Sequence, residues 1–155
     1  MSVFGGKITT YRVLAEGVMA RLKDHFPSMD GPWTAGAALP GGDFPVNGVG
    51  NLVADLVRHY DFLDERWAKR LVRAYGSEAR DVLGDARTLD DLGEVFGATL
   101  TAREVAWLME KEFARTAEDV LWRRSKLGLR LTSNEVAALD AHMSGQVSDR
   151  AVARG

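Results

Sequence analysis

The chain is 155 residues long, which is the size of one domain and too short to contain two large lobes. Its composition, 46% hydrophobic and 27% charged, is that of an ordinary globular protein, and a formal net charge of −2 argues against a protein that binds nucleic acid by neutralising phosphates. Because cysteine is absent, the sequence excludes a disulfide framework, a thiol nucleophile, a cysteine-ligated zinc site and an iron–sulfur cluster. No apolar run is long enough to predict a secretory signal or a membrane span.

The first predicted helix runs from residue 9 or 10 to residue 26, where apolar side chains recur every three or four positions and Pro27 ends the pattern. All four prolines of the chain lie in residues 27–48, a segment too long for an ordinary turn. We interpret it as a connector between an N-terminal segment, residues 1–26, and a helical domain, residues 49–145.

The helical domain is predicted from apolar stripes that are bounded by capping residues and glycines. The predicted elements are a helix from residue 49 to 60, a second from Asp64 to a stop at Gly76, a short one between Ser77 and Gly84, and another over residues 88–96. We predict an all-α fold, a bundle of about six to eight helices with an irregular Pro/Gly connector.

The second half of the domain continues this pattern. Thr101 and Glu104 have the spacing of a capping box, which predicts a helix whose apolar stripe extends to Phe113. Thr116 is predicted to cap a helix over residues 117–127 with Gly128 as its stop, and Ser133 begins a last helix. Residues 146–155 lack an apolar stripe, and we expect a frayed tail there.

Three groups of residues are candidates for chemistry. Residues 4–12 combine two glycines, Lys7 and the start of a helix, which are the parts of an anion or carbonyl site, although their spacing alone favours a flexible leader followed by a helix cap. Residues 118–130 carry basic side chains around a tryptophan, which can indicate a nucleic-acid or lipid surface, but the acids in the first turn favour a solvated face with local ion pairs. The three histidines fall on separate predicted helices, so we expect no metal site.

The order of several short motifs resembles the C-terminal third of FAD-dependent glycerol-3-phosphate dehydrogenases. These motifs occupy residues 5–12 (GGKITTYR), 39–42, 73–76, 91–93, 104–112 and 119–128 (DVLWRRSKLG), and the match covers residues 2 to about 143. Ser125 stands where that family usually has threonine, and Phe113 where tryptophan is common.

The resemblance implies a helical cap domain with a short piece of the flavin domain attached. It implies that Gly5 and Gly6 pass the isoalloxazine, that Thr9 and Thr10 begin a helix facing the flavin pyrimidine carbonyl, and that Lys7 lies near flavin and substrate. No catalytic residue is implied in this chain, and because the main flavin contacts lie elsewhere in the family, we expect the chain alone to bind FAD weakly or not at all.

The resemblance also implies a parent enzyme that oxidises sn-glycerol 3-phosphate and passes electrons to quinone. The implied partners are the N-terminal FAD domain of the same polypeptide, the membrane surface and a possible second copy; the implied location is cytoplasmic, peripheral on the inner membrane. The sequence does not decide whether the parent enzyme is a quinone-linked dehydrogenase or an oxidase that uses oxygen. The alternative function is a freestanding helical module that binds a protein or a membrane through residues 122–130, and a DNA-binding helix-turn-helix is disfavoured by the acidic balance.

Overall fold

The computed structural model describes residue 2 and residues 6–152, with side chains as far as residue 146. The chain divides into two compact units, Met1–Leu39 and Pro40–Gly155. Across the described residues the regular structure consists of six α-helices, short 3-10 and π turns, and one hairpin of two strands. The predicted all-α class is therefore confirmed, with the hairpin as a small addition. No helix in this described part combines the length and apolarity needed to cross a bilayer.

The first unit contains helix α1, Tyr11–Leu22, between the 3-10 turns Ile8–Thr10 and Lys23–His25. A polar clamp ties α1 to the following segment: the Thr34 hydroxyl donates to Glu16 Oε1 at 2.5 Å, and the Arg12 guanidinium lies 3.1 Å from the same oxygen. The hydrogen bond from Thr34 lowers the pKa of Glu16. No side chain of α1 is buried, so the described part of this unit has no hydrophobic core.

The second unit contains the other five helices: α2 Val49–His59, α3 Glu65–Tyr75, α4 Ala79–Leu83, α5 Ala102–Lys111 and α6 Ser133–Val152. Helix α3 begins and ends as its sequence predicts. The Asp64 carboxylate accepts from the Trp67 amide at 2.6 Å, and Gly76 ends the helix with φ +57°.

The apolar stripes of these helices meet in one core. Its largest fully buried apolar side chains are Tyr60, Phe96, Leu71, Leu92, Leu100, Leu108, Leu121, Leu139 and Met143. Burying a side chain of this size contributes about 1.5–3 kcal/mol to the free energy of unfolding, so this core stabilises the second unit.

Two glycine backbones touch where the connector meets the end of α3. Gly41 O accepts from the Ser77 amide at 3.0 Å. A Cβ on Gly41 would lie 2.1 Å from Tyr75 O, and a Cβ on Gly76 would lie 1.8 Å from Gly41 O. Both glycines have positive φ, so this contact requires glycine at both positions.

The predicted helix over residues 88–96 is wrong. The chain forms a 3-10 turn, Leu89–Leu92, followed by the strands β1, Val95–Gly97, and β2, Leu100–Thr101, which pair antiparallel. Gly93 adopts φ +74° directly after the turn and ends it. Leu92 and Phe96 are both buried at helical spacing, but Leu92 is buried from the 3-10 turn and Phe96 from strand β1.

The hairpin turn is strained. Ala98 and Thr99 have φ of 45° and 68°, as a type I′ turn requires, although this turn normally contains asparagine and glycine. Each non-glycine residue in this conformation costs roughly 1 kcal/mol or more. Contacts from elsewhere in the fold must therefore hold the turn.

The predicted α-helix over residues 117–127 is also wrong in its type and its end. Asp119–Arg124 is a π-helical turn, and the Ser125 amide and hydroxyl both donate to Val120 O, at 3.0 and 2.7 Å. The two hydrogen bonds satisfy the Val120 carbonyl across the wider turn, and the helix ends at Ser125. Gly128 then lies in a 3-10 turn under the Trp122 ring, where a Cβ would be 2.6 Å from ring carbons.

Two further helix ends differ from their predictions. Phe113, expected on the apolar stripe of α5, instead follows the helix with φ +58° and a 72% exposed side chain. The Ala114 amide donates to Leu108 O across this reversal, so the chain turns away before Phe113 can reach the core. Helix α6 continues to Val152, beyond residue 146 where the frayed tail was expected.

Candidate functional site

The residues predicted to face a cofactor lie at the start of the first unit. Gly5 is outside the described residues, whereas Gly6, Lys7, Thr9 and Thr10 lie together directly before and within the turn that leads into α1, and all four are exposed. Gly6 has φ +137°, a conformation that favours glycine. The role of these residues in binding stays a prediction.

The start of this helical segment is open to a ligand. The Thr10 amide and hydroxyl both donate to Lys7 O, at 2.9 and 3.1 Å, which fixes the first turn. No side chain among the described residues caps that turn, and the residue directly before it is the exposed Lys7. Such a helix start attracts negative charge or a carbonyl oxygen.

The second unit contains a cavity of about 510 Å³ that the sequence analysis did not predict. One wall is α3 and the other is the segment after the π turn. Its lining includes one acidic side chain, Glu104, and seven basic ones: Arg66, Lys69, Arg70, Arg73, Arg124, Lys126 and Arg130. In a chain with a net charge of −2, this is a local concentration of positive charge.

A buried ion pair forms the floor of the cavity. Arg70 Nη1 and Nη2 donate to Glu104 Oε1 and Oε2 at 2.8 and 2.6 Å, and the Tyr75 hydroxyl donates to Glu104 Oε1 at 2.7 Å. The Glu104 side chain is 2% exposed. A bidentate arginine–carboxylate pair fixes the orientation of both planes.

The same arginine holds the strained hairpin turn. Arg70 Nε donates to Thr99 Oγ1 and Nη2 to Thr99 O, both at 2.9 Å. The Arg70 side chain therefore connects the cavity floor to the turn between β1 and β2. These contacts account for how a non-glycine residue stays at positive φ there.

This network shifts the pKa of two of its members. Burial raises the pKa of Tyr75, and the charge of Glu104 raises it further, so the hydroxyl stays protonated and donates. Burial opposes the charged form of Arg70, but the hydrogen bonds and charge of Glu104 outweigh it and raise the pKa. The Arg70 guanidinium therefore stays charged and the Tyr75 hydroxyl stays a donor.

The prediction for Glu104 was only half right. The Glu104 amide donates to Thr101 Oγ1 at 3.4 Å, as a capping box requires. The Glu104 carboxylate, however, turns inward to Arg70 and Tyr75 instead of returning to the Thr101 amide. The Glu104 carboxylate binds the charged guanidinium of Arg70 in α3 instead of the neutral Thr101 amide.

The basic run at residues 118–130 divides into two parts. Arg123 forms local ion pairs with Glu118 and Asp119 at 2.9 and 2.7 Å, as the sequence analysis favoured. Arg124 turns the other way, donating to Glu112 O at 2.8 Å, and lines the cavity. The run therefore has one neutralised face and one face toward the cavity.

The α3 side of the cavity had a sequence signal that the analysis missed. Arg66, Lys69, Arg70 and Arg73 recur at the three- and four-residue spacing of one helix face. The sequence analysis used the apolar stripe of this helix to predict its fold, but it drew no conclusion from the basic stripe. Within the described residues, no group of three histidine, aspartate or glutamate side chains is placed to hold a metal.

Comparison with known proteins gives a consistent result. Residues 33–144 match the model of the family described as the C-terminal domain of alpha-glycerophosphate oxidase. The chain is 42% identical over 146 residues to a glycerol-3-phosphate dehydrogenase of Pseudomonas aeruginosa, covering 94% of this chain and 28% of that protein.

Two further relatives are similar to the same extent. A D-erythritol 1-phosphate dehydrogenase of Brucella abortus is 43% identical over 138 residues, covering 89% of this chain and 28% of its own length. The aerobic glycerol-3-phosphate dehydrogenase of Escherichia coli is 41% identical over 135 residues, covering 87% of this chain and 27% of its own. The chain thus spans just over a quarter of the length of the curated relatives it matches.

Proposed function

Because this chain belongs to the family of C-terminal domains of alpha-glycerophosphate oxidase, we propose that it is the C-terminal domain of an FAD-dependent dehydrogenase of a polyol phosphate. The observation that carries the proposal is the similarity to named dehydrogenases over up to 94% of this chain. That similarity extends through both units and not only through the helical one. The favoured substrate is sn-glycerol 3-phosphate, oxidised to dihydroxyacetone phosphate.

D-erythritol 1-phosphate is the second candidate substrate. The relative named for it is as similar to this chain, at 43%, as the two bacterial glycerol-3-phosphate dehydrogenases at 42% and 41%. Identity over this part of the chain therefore does not separate the two substrates. Both are phosphomonoesters of a polyol, and this shared chemistry is the class that we propose.

The residues at the start of the first unit fit a flavin. Gly6 at positive φ leaves the backbone without a side chain beside the open helix start, and Lys7 supplies a positive charge there. A bound flavin supplies the two-electron acceptor of such an enzyme. This chain would contribute electrostatic stabilisation: the leading amides and the Lys7 ammonium would stabilise negative charge on a neighbouring ring carbonyl.

The exposed apolar side chains of the first unit support a partner for it. Tyr11, Val13, Leu14 and Met19 on α1 are each more than a third exposed, and Ile8 before the helix is 88% exposed. A helix gains most of its stability from packing an apolar face against another surface. We propose that the flavin domain of the same polypeptide supplies this surface.

The path of the electrons beyond the flavin is also part of the proposal. We favour transfer to quinone by an enzyme that is peripheral on the cytoplasmic face of the inner membrane, with a homodimer possible. This rests on the resemblance to glycerol-3-phosphate dehydrogenases.

A chimera tests the proposed function. This chain would replace the matching C-terminal 28% of the Pseudomonas aeruginosa relative, and dye reduction would be measured with each of the two polyol phosphates. We expect flavin to be retained and kcat/KM for one substrate to lie within about tenfold of the intact relative, a difference of 1.4 kcal/mol. The relative truncated at the junction is the negative control.

Two results would contradict the proposal. The first is a folded chimera with about one flavin per chain that oxidises neither substrate. The second is isolated chain that stays yellow after desalting with flavin near one per chain, because we expect the principal FAD contacts to lie outside it. A partner protein captured by such an inactive chimera would favour a freestanding interaction module.

Lys7 gives a sharper test within the chimera. Lys7→Met keeps the length of the side chain and removes the charge, so it should cost about 1.5–3 kcal/mol of stabilisation of a developing negative charge. This corresponds to a loss of roughly 10- to 150-fold in kcat/KM. Lys23→Met, which removes an exposed charge after α1, is the matched control and should stay within about twofold. Equal effects of the two changes would place Lys7 outside the reaction.

A further inference from the structure

The positive charge of the cavity in the second unit is only partly neutralised by the protein: Arg70 pairs with Glu104, and Arg124 Nε lies 3.9 Å from a Glu112 carboxylate oxygen. Arg66, Lys69 and Arg73 lie on one face of α3, and Arg130 lies on the opposite wall. No ion pair within the described part of the chain includes any of these four side chains. Like charges three and four residues apart on a helix repel, so the face is unfavourable without a counter-charge.

Basic side chains outside the cavity behave differently. Arg58 pairs with Asp55 at 2.8 Å, Arg103 with Asp85 at 3.3 Å, and Arg123 with two carboxylates. Neutralisation by neighbouring acids is therefore common on the rest of this unit. Basic side chains without an ion pair in the described part of the chain also occur outside the cavity, as at Arg87 and Arg115, but around the cavity five of them lie together.

The acid of the cavity floor cannot supply the missing counter-charge. Both Glu104 oxygens accept from Arg70, and one also accepts from Tyr75. With Arg70 paired to Glu104 and Arg124 paired to Glu112, five basic side chains without an ion pair in the described residues still surround a space of about 510 Å³. That volume is in the ordinary range for a small-molecule site.

We propose that this cavity binds a phosphate-bearing anion. A phosphate group offers several oxygens in different directions, which suits guanidinium and ammonium donors arriving from two walls. Arg124, which also lines the cavity, is fixed at its base because its Nε donates to Glu112 O at 2.8 Å. Duplex nucleic acid is a poorer fit, since its phosphates require a stripe of charge along a surface rather than a converging cavity.

The phosphate can come from two sources. One is a soluble phosphomonoester, and the other is a phospholipid headgroup at a membrane surface. Leu129, which lines the cavity and is 75% exposed, could contact either a small ligand or the interfacial region of a bilayer. The chemistry recognised is the same, and binding experiments separate the sources. This inference concerns a different unit from Lys7 and does not depend on the proposed function.

The test measures binding to the 155-residue chain directly. Isothermal titration with inorganic phosphate and with sn-glycerol 3-phosphate reports the soluble source. Flotation with phosphatidylcholine vesicles, with and without phosphatidylglycerol, reports the lipid source. The cavity variants are Arg73→Gln and Arg130→Gln, and the matched control is Arg115→Gln, which removes an exposed charge that does not line the cavity.

We expect saturable binding of one soluble phosphate or of the anionic vesicles, weakened roughly 5- to 10-fold by each cavity variant and less than about twofold by Arg115→Gln. Far-ultraviolet circular dichroism checks that each variant is folded, and both mutated residues are exposed. Three results would overturn the inference: no binding of any of these probes, binding that the cavity variants leave unchanged, or saturable binding of an acidic peptide alone.

Discussion

Breaking the ion pair at the cavity floor is the most direct test of how the second unit is held together. Arg70→Met keeps most of the side-chain volume but removes four hydrogen bonds, two to Glu104 and two to Thr99. It leaves a carboxylate that is 2% exposed with the Tyr75 hydroxyl as its donor. Removing one partner of a buried pair typically costs about 3–5 kcal/mol.

The expected loss is near the lower end of that range, about 3 kcal/mol, because the Arg70 side chain is 19% exposed and water can approach its former place. A loss of that size is a large fraction of the roughly 5–15 kcal/mol that stabilises an ordinary domain. Arg70→Lys keeps the charge and loses the bidentate geometry, so its cost should be intermediate, about 1–2 kcal/mol.

Urea denaturation followed by far-ultraviolet circular dichroism measures these differences. Arg73→Met is the matched control. It removes the same charge one turn along α3, and the Arg73 side chain has no ion pair in the described residues. It should change the free energy of unfolding by no more than about 0.5 kcal/mol. The double variant Arg70→Met with Glu104→Met should recover much of the loss, since an apolar pair of similar volume often replaces a buried ion pair at little cost.

The reasoning would be refuted if Arg70→Met cost less than about 1 kcal/mol, or if the double variant were less stable than Arg70→Met alone. The first result would mean that the unpaired Glu104 is readily solvated. The second would mean that Glu104 stabilises the fold without Arg70.

Three further predictions concern strained and titrating residues. Ala98→Gly should stabilise the chain by about 0.5–1 kcal/mol because it relieves a positive φ, whereas Ala137→Gly in α6 should destabilise it by about 1 kcal/mol; thermal denaturation of the two variants gives the comparison. Phe113→Gly should also stabilise by about 0.5–1 kcal/mol, since its φ is +58° and its side chain is mostly exposed, and a lower melting temperature would contradict this. Amide hydrogen bonds from Arg115 and Thr116 lower the pKa of Asp119 to about 2, so its contribution to stability is present above about pH 4 and is lost as the pH falls toward 2. The difference in unfolding free energy between wild type and Asp119→Asn should therefore shrink over that interval, and a constant difference would be inconsistent with it.

The parts of the fold that could be predicted are those in which local and long-range preferences agree. Helix α3 has an acidic cap at Asp64, an apolar stripe and a glycine stop at Gly76, and all three features act in the structure as the sequence indicates. In α2 the apolar stripe alone acts as the sequence indicates, since Val53 and Leu56 are buried at helical spacing.

The hairpin could not be predicted because its usual signals are missing. Strands β1 and β2 have three and two residues, too few to show alternation, and the turn has Ala98 and Thr99 where asparagine and glycine are typical. The turn depends on Arg70, 29 residues earlier in the chain. A local reading of the sequence cannot contain that contact.

The cavity also has a part that could be predicted from the sequence and a part that could not. The basic face of α3 is visible in the sequence as a helical repeat, and the basic run after residue 122 is equally visible. Their meeting across one space depends on the π turn and on Ser125, which redirect Arg124 and Arg130. The site is therefore a product of tertiary structure, although each half is encoded locally.

The contact between Gly41 and Gly76 has a consequence for how the sequence can change over time. Each added side chain would collide with the main chain of the other segment and not with its side chain, so shrinking the partner residue gives no relief. A first substitution at either position therefore has no compensating second one at the other. We expect the pair to behave as two independent constraints, invariant in related sequences yet without the correlated exchanges by which contacting residues are usually recognised.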